Sequence, residues 1–542
     1  MKQRLKKDFA PVDMPESGVS ISRINNYDYV YHVGKGYRNS KGQPTNDKTM
    51  IGKYDSESKK LIPNESYYTI YDKIPEGKEI VIDSIMNYGD FYLLESIAEE
   101  IGLSKVLNRV FGDKGDEILL LAIYMALTGQ PLYRCDGWSR ETLTGRKGVM
   151  TSQRISRILE DIDEHKRMEF FEAWVYARQQ KEYLAYDVTS ISSYSRGNEL
   201  VELGYNRDHD ALPQVNLGMY YGEESKLPIF YQVYKGSILD KSHLPYMMQY
   251  NDRLGIKDVC FVMDRGFYTE DNMKSMSHKH KFIVGVSNSL KISKEMIKEY
   301  GQEVMSSRYD IGLTGASGMS IGDNRYGYRS NMILFYSLAK ISDESRNFKM
   351  KLQKWEEDLR SSKKIPKEAE EFFTVTKAEK DTVTVTRNHS VIDEYISNLG
   401  YFLMMTTDLR KTPEEILEIY RMKDVVEKCF DELKNSIDMK RLRVHSEETM
   451  NGKMFVGFIA LIIRSHLHNK LKNYMETRRV SFAQILDELR MIKTVKVKDG
   501  LLQCNPVTKK QRLILECFNR TPEDISQSLQ NLSPHVPFDF DE

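Results

Sequence analysis

Residues 184–191 read as a short buried strand, apolar enough to be covered on both faces, with Asp187 where a central strand should carry a hydrophobic side chain. An acid buried there is costly unless something pairs with it. Residues 213–220 and 227–234 are apolar-aromatic strands, and Tyr221-Gly222-Glu223-Glu224-Ser225-Lys226 between them is a natural hairpin connection. Residues 243–254 have a helical pattern. Residues 259–263 form a fourth strand that runs straight into Asp264 and a turn at Arg265-Gly266, and 282–286 form a fifth. An antiparallel meander followed by helix-linked strands predicts a mixed sheet covered by helices. Residues 401–407 make one more buried strand. A single helix is expected beyond it, from about 413 to 437, with Thr412 as its cap, Pro413 at its first position and Glu427 in its middle.

The rest of the chain divides around this core. Residues 1–17 form a basic arm, expected to be loose. Residues 18–75 alternate in short runs, with strands at 27–33 and 49–54 around a polar, glycine-bearing loop at 34–48. This is a small N-terminal β module whose Lys and Arg side chains face either DNA or solvent. Residues 76–180 turn helical: Leu93, Leu94, Ile97, Ala98 and Ile101 recur at three-to-four spacing, and 115–128 have the composition of a core helix. Two more helices are expected at 152–166, where Arg154 and Arg157 lie beside an apolar stripe, and at 168–180. The first part of the core is then 181–287 and the second 401–445. Between them, 288–400 hold a strand-pair region at 326–338, a charged helix at 345–360 and an alternating run at 373–386, read together as a β-rich insertion subdomain. Residues 446–542 form a C-terminal helical region, with helices at 454–474 and 482–492, a short strand at 494–497 and an irregular acidic tail.

Composition narrows this picture in a few places. The chain has 542 residues, 40% hydrophobic and 29% charged, which is a folding composition and enough for about two to four domains. Its 79 basic and 79 acidic residues cancel, so any argument for nucleic acid has to be local. The five cysteines contain no Cys-x-x-Cys and read as reduced intracellular thiols. No apolar segment follows the basic start, so it does not read as a signal peptide, and the apolar run at 455–463 is too short to span a bilayer. No membrane association is expected.

Two acids from strand ends and one from a helix make a hard, oxygen-only ligand set, suited to Mg²⁺ or Mn²⁺. Two such ions about 4 Å apart would clamp the attacking and leaving oxygens of a phosphodiester. At about 100° per residue, Tyr420, Lys423, Glu427 and Lys434 share one face of the expected helix, beside an apolar stripe of Ile419, Val426, Phe430 and Leu433. The lysines would hold phosphate as point charges, and Tyr420 would bond a phosphate or stack on a flipped base. The plainer alternative stays open: a chain this rich in acids supplies three of them somewhere, and Lys423 with Glu427 is also an ordinary i, i+4 helix pair. His209, His243 and His445 read as structural residues, and no His/Cys cluster suits zinc. Gly34-Lys35-Gly36 lacks the residues of a phosphate loop. Gly204-Tyr205-Asn206-Arg207-Asp208 lacks them too, and is placed to position a substrate strand near Asp187. Between residues 428 and 480 there are 11 Lys/Arg against 6 Asp/Glu, a local net of +5.

The spacing Tyr420, Lys423, Glu427, Lys434 resembles the Y-(2)-R-(3)-E-(6)-K signature of IS4-type DDE transposases, with lysine in place of the usual arginine. That change keeps the charge and loses the bidentate fork. Tyr186-Asp187-Val188-Thr189-Ser190 and Val262-Met263-Asp264-Arg265-Gly266 resemble the two acid motifs of that family. Gly204-Tyr205-Asn206-Arg207-Asp208 resembles a segment of its IS1634-like branch, and Arg443-Val444-His445 a worn form of the basic-Pro-Val-His segment. The resemblance covers residues 20 to 490. It implies an α/β, RNase H-like mixed five-stranded catalytic core interrupted by a β-rich insertion. Asp187, Asp264 and Glu427 would be both the catalytic residues and the ligands of two Mg²⁺ or Mn²⁺ ions. Tyr420, Lys423, Lys434, Arg265 and Arg207 would bind DNA or phosphate.

The activity so implied is cut-and-paste movement of an insertion sequence. A metal-activated water hydrolyses the phosphodiester at the element's end, and the freed 3′-hydroxyl attacks the opposite strand or a target. The implied partners are double-stranded DNA at the terminal inverted repeats, target DNA and a second copy of the chain pairing two ends. The N-terminal β module, the helices after it and the basic region beyond Glu427 would bind the ends. The expected location is the bacterial cytoplasm, at the nucleoid. The alternative is an inactive or divergent RNase H-like DNA-binding protein or nuclease, and the presence of all three acids favours activity.

Overall fold

The short alternating runs near the N-terminus build a four-stranded antiparallel sheet of β1 (Val19–Ile24), β2 (Tyr27–Arg38), β3 (Pro44–Asp55) and β4 (Lys60–Pro63), in that order. The computed structural model describes residues 9–24, 27–38, 42–71, 82–146, 148–178, 183–195, 197–208, 210–257, 259–312, 315–361, 363–377, 383–421, 423–444, 446–497 and 502–532. His209 and His445 lie outside them. The chain divides into two compact units, Met1–Ser84 with Lys496–Leu501, and Ile85–Val495 with Leu502–Glu542. In the first, Val30, Ile51 and Leu61 pack against Tyr67 and Tyr68 of the helix Glu65–Tyr71. Two expectations are corrected here. The glycine-bearing stretch 34–48 is mostly strand: β2 and β3 continue to pair through it, with a register shift between Val33 and Gly36. Part of the basic arm is docked: Val12 bridges to Leu61, and Phe9 and Met14 pack on the same core.

β5 (Ile82–Asn87) spans the boundary at Ser84, and the second unit continues from it into a helical region whose longer members are Gly89–Glu100, Lys114–Thr128 and Glu164–Arg178. The large sheet follows. It contains β6 (Tyr183–Ser193), β7 (Gln214–Gly222), β8 (Pro228–Lys235), β9 (Cys260–Met263), β10 (Lys281–Val286), β11 (Asp310–Ile311), β12 (Ala316–Asp323) and β13 (Ser330–Ser337). A separate hairpin of β14 (Phe373–Lys377) and β15 (Val383–Arg387) precedes its last long strand, β16 (Tyr401–Thr406). The order across the sheet is β11-β12-β13-β16-β10-β9-β6-β7-β8, and β17 (Arg441–Leu442) pairs with the far end of β6. β6, β7 and β8 form an antiparallel meander, while β9 runs parallel to β6, and β10 parallel to β9. The five strands expected from hydrophobic pattern are all present and adjacent.

The stretch 288–400 differs from the expectation of a β-rich subdomain. Its strands β11, β12 and β13 extend the large sheet through β16, because β13 is apolar on both faces, with Met332 and Leu334 in the main core and Ile333 and Phe335 in the core on the other side, as a strand inside a covered sheet must be. What stands apart is mainly helical. The helix Leu338–Arg360 packs Phe348 and Leu352 against Phe372, Phe373, Val385 and Ile392 of the hairpin region and the helix His389–Ser397.

The 32-residue helix Glu447–Arg478 is buried through Met454–Ile463 and packs on Lys114–Thr128 and Ser152–Glu160. The contact with the latter is so close that a Cβ at Gly452 would run into the Leu159 carbonyl. The tail is regular rather than irregular up to residue 532. β18 (Lys493–Val497) pairs with β5 and with β19 (Leu502–Cys504), and helices Lys509–Glu516 and Pro522–Leu532 follow. Among the described residues no single helix is long and apolar enough to cross a membrane.

The helix expected over 413–437 is three pieces. Pro413–Tyr420 is capped as expected, by a box in which Thr412 and Glu415 bond each other's backbone. Lys423–Asp431 follows, and Glu432–Ser436 is a π-helical turn. The break has a packing cause. Ile416 and Leu417 bury against Cys260, Val262 and Ile283 on one sheet face, whereas Val426, Cys429 and Phe430 belong to the main core.

Candidate active site

The two aspartates meet because of strand register. β6 and β9 are parallel and pair Tyr183 with Cys260 through Tyr186 with Met263, so Asp187 and Asp264 are the next step on neighbouring strands. Side chains at matched positions of parallel strands leave on the same face, about 4.8 Å apart. β9 ends there, and Asp264 caps the following turn by accepting from the Arg265 N–H at 2.7 Å. Asp187 stays inside the sheet, opposite Met219, and accepts from the Val188 N–H at 2.8 Å.

The broken helix brings the remaining groups over this pair. Tyr420, at the end of its first piece, donates to Asp264 Oδ1 at 3.3 Å. Gly285 on β10 makes room: a Cβ there would come 2.6 Å from the Tyr420 hydroxyl. Lys423, at the start of the second piece, lies 2.8 Å from Glu427 Oε1 and 3.6 Å from Asp264 Oδ1. Lys434, on the π-helical turn, is buried and lies 2.9 Å from both carboxylate oxygens of Asp208. A cavity of about 390 Å³ is lined by Asp187, Asp264 and Glu427, together with Arg207, Asp208, Asp240, Lys434 and Lys440.

The charges in this cavity are unevenly compensated. Burial pushes the Asp187 carboxyl up to about 7, against the Val188 hydrogen bond and the attraction of Arg207, and nearby Asp264 adds to the rise. Burial works against the Lys423 ammonium, but Glu427, Asp264 and Asp187 together hold it above its usual range. Burial and the neighbouring Asp264 raise the Tyr420 phenol, so it stays a neutral donor at any working pH.

Of the residues expected at the site, Asp187, Asp264, Glu427, Arg207 and Lys434 line the cavity, and Tyr420, Lys423 and Arg265 stand beside Asp264. Arg207 pairs with Asp240 and donates to Ser190 Oγ at 3.3 Å, so its guanidinium is already used within the protein. Arg265 is exposed beside Asp264. His243 is a structural residue, stacked on Tyr234 with ring centroids 3.6 Å apart, and burial lowers it to about 4. Sequence reasoning missed Asp208, Asp240, Gly285 and Lys440 as parts of the site. Asp208 had a signal, since it closes the Gly204–Asp208 motif, but no partner could be read for it.

Among the described residues no three His, Cys, Asp or Glu side chains stand close enough together to hold one ion. The donor chemistry still fits Mg²⁺ or Mn²⁺. Asp187, Asp264 and Glu427 face one cavity, and the innermost, Asp187, accepts from the Val188 N–H beside a second acid. Glu427 would join them by exchanging the Lys423 ammonium for the ion.

No curated protein matches the sequence. Among solved structures, the cryo-EM structure of the piggyBac transposase synaptic complex with hairpin DNA is similar at 11% identity and a TM-score of 0.32, covering 84% of this chain and 77% of that one. A likeness at that level carries no argument here. The model of the transposase DDE domain matches residues 178–463, which is 286 of 542 residues and contains Asp187, Asp264, Glu427 and Lys434, so the chain belongs to the DDE-domain transposase family.

Proposed function

We propose that the chain moves an insertion sequence by cut and paste, as an IS4-type DDE transposase of the IS1634-like branch. Its catalytic centre would be an RNase H-like core of β6 to β10. The observation that carries this reading is the register that sets Asp187 beside Asp264, under the helix bearing Lys423 and Glu427. The meander β6-β7-β8 with β9 and β10 added in parallel supports the RNase H-like assignment.

Asp187, Asp264 and Glu427 would hold two Mg²⁺ or Mn²⁺ ions. Bound there, the ions supply charge to the attacking and leaving oxygens of a phosphodiester. The chain's own residues orient the DNA. The ammonium groups of Lys423, Lys434 and Lys440 line the approach to the two aspartates, and Tyr420 keeps its hydroxyl directed at Asp264. In the first step a water oxygen bonds to phosphorus and the bond to the 3′ oxygen breaks, leaving a 3′-hydroxyl and a 5′-phosphate. In the second, that hydroxyl attacks a target phosphorus and displaces another 3′ oxygen. Two element ends would be paired by two copies of the chain, with the N-terminal β module and the basic stretch after Glu427 on DNA.

The test is cleavage of a duplex carrying the element's terminal inverted repeat, with Mg²⁺ or Mn²⁺. Asp187→Asn, Asp264→Asn and Glu427→Gln are each expected to reduce cutting at the boundary by about 10³-fold or more, with duplex binding retained. Specific binding without any cut by the intact protein, under either metal, would instead favour a DNA-binding relic.

A further inference from the structure

Lys434 and Asp208 lie 226 positions apart in the chain, yet the lysine ammonium sits 2.9 Å from both oxygens of the aspartate. The lysine side chain is only 9% exposed and still lines the cavity that holds Asp187. A lysine loses more on burial than a neutral residue, so a dedicated carboxylate partner is required. The backbone carrying Asp208 is itself fastened. The Asn206 side-chain oxygen accepts from the N–H groups of Asp208 at 2.8 Å and Asp210 at 3.4 Å, and its amide donates to Ser192 Oγ of β6 at 3.1 Å. Gly204 lies so close to Gly236 that a Cβ would overlap its carbonyl. Arg207 ties the same loop to Asp240 and Ser190. Polar contacts therefore pin this loop along β6 just past Asp187, and they fix where one carboxylate stands.

We infer that Asp208 is a positioning residue for phosphodiester cleavage. It anchors the Lys434 ammonium at one point of the cavity wall, using two of its three N–H donors and leaving the third for a phosphate oxygen beside Asp187. The inference rests on the reading of Lys434 as a phosphate ligand. An ion pair that merely neutralises a buried lysine would leave cutting tied to stability alone.

Asp208→Asn keeps the shape, removes one negative charge from the cavity and releases Lys434. Binding of the terminal-repeat duplex is then expected to tighten about 2- to 5-fold, while the single-turnover cleavage rate falls about 10-fold or more. Asp208→Glu, which keeps the charge but displaces it, falls between the two. Lys434→Gln cuts slowly, and Asp208→Asn/Lys434→Gln is no slower than Lys434→Gln alone, because both changes remove the same contact. Thermal melts of all variants separate these effects from unfolding. Unchanged cutting by Asp208→Asn would overturn the inference and leave the transposase reading intact. Losses that multiply in the double variant would overturn it equally, as would binding and cutting that fall together with melting temperature. If the wild-type chain fails to cut under either metal, the reading of Lys434 and this inference fall together.

Discussion

Asp187 and Glu432 are two carboxylates in partly buried positions, and the protein treats them in opposite ways. Glu432 sits on the π-helical turn facing the long helix Glu447–Arg478. Burial alone would raise its carboxyl, but the His468 hydrogen bond at 3.0 Å and Arg464 at 2.5 Å overcome this and bring it to about 2. The second arm of Arg464 donates to the Ala126 carbonyl at 2.6 Å, and Phe482 stacks on His468. Among the described residues Asp187 makes no ion pair of this kind, and burial outweighs the attraction of Arg207 and Lys423 and raises it to about 7. The first carboxylate is neutralised from within the fold and ties the π-helical turn to the core. The second is left short of positive charge where a cation or phosphate-bound metal would supply it. Perturbed carboxylates cluster at functional sites, and this pair shows why the direction of the shift matters more than its existence.

Removing the compensation around Glu432 should have the greatest consequence. Arg464→Ala leaves Glu432 with only His468 and the Ala126 carbonyl without its donor, and is expected to destabilise the protein by about 3–5 kcal/mol in chemical denaturation. A loss under about 1 kcal/mol would remove the structural role assigned to this cluster.

Next in size is Asp187→Asn, which should stabilise the metal-free protein by up to about 4 kcal/mol, the cost of holding a carboxyl at about 7 rather than 3.8. A carboxyl raised in the folded state binds its proton more tightly there than when unfolded. Its cost is therefore absent below the unfolded value near 3.8 and complete above about 7. The melting-temperature gain of the variant should accordingly be full at pH 8 and vanish towards pH 4. A gain that is constant with pH would show that Asp187 is compensated after all.

A smaller shift is expected from the ion itself. Mn²⁺ at 100 times its dissociation constant should stabilise the wild-type chain by about 2.7 kcal/mol, and Asp187→Asn should show no such thermal shift. Stabilisation that survives in the variant would place the ion elsewhere.

Much of the site was legible because its signals are local. Asp187 stands out as an acid in an apolar run, Asp264 ends a strand, and the Tyr420, Lys423, Glu427 spacing survives the helix break because Tyr420 and Lys423 each reach Asp264 while Glu427 pairs with Lys423 at the cavity wall. Lys434 was placed less well by the helical wheel. A wheel assumes one straight helix at constant pitch, whereas the break after Tyr420 and the π-helical turn redirect the lysine to Asp208. The loop expected at 34–48 failed for a related reason: glycine and polar side chains lower strand propensity, but two long antiparallel partners override it.

The amino-acid order alone specified most of the strands and helices, the two acids carried on strands, and a third acid on a helix that also bears Tyr420, Lys423 and Lys434. Those features follow from side-chain pattern over a few residues. Which strands are neighbours, and so whether Asp187 and Asp264 fall in register, was settled only in the folded chain. So were the extension of the main sheet by the strands of 288–400, the pairing of Arg207 with Asp240, and the placing of Asp208 against Lys434. Strand order and ion pairing depend on contacts between residues far apart in the chain, where no local period reports which partner wins.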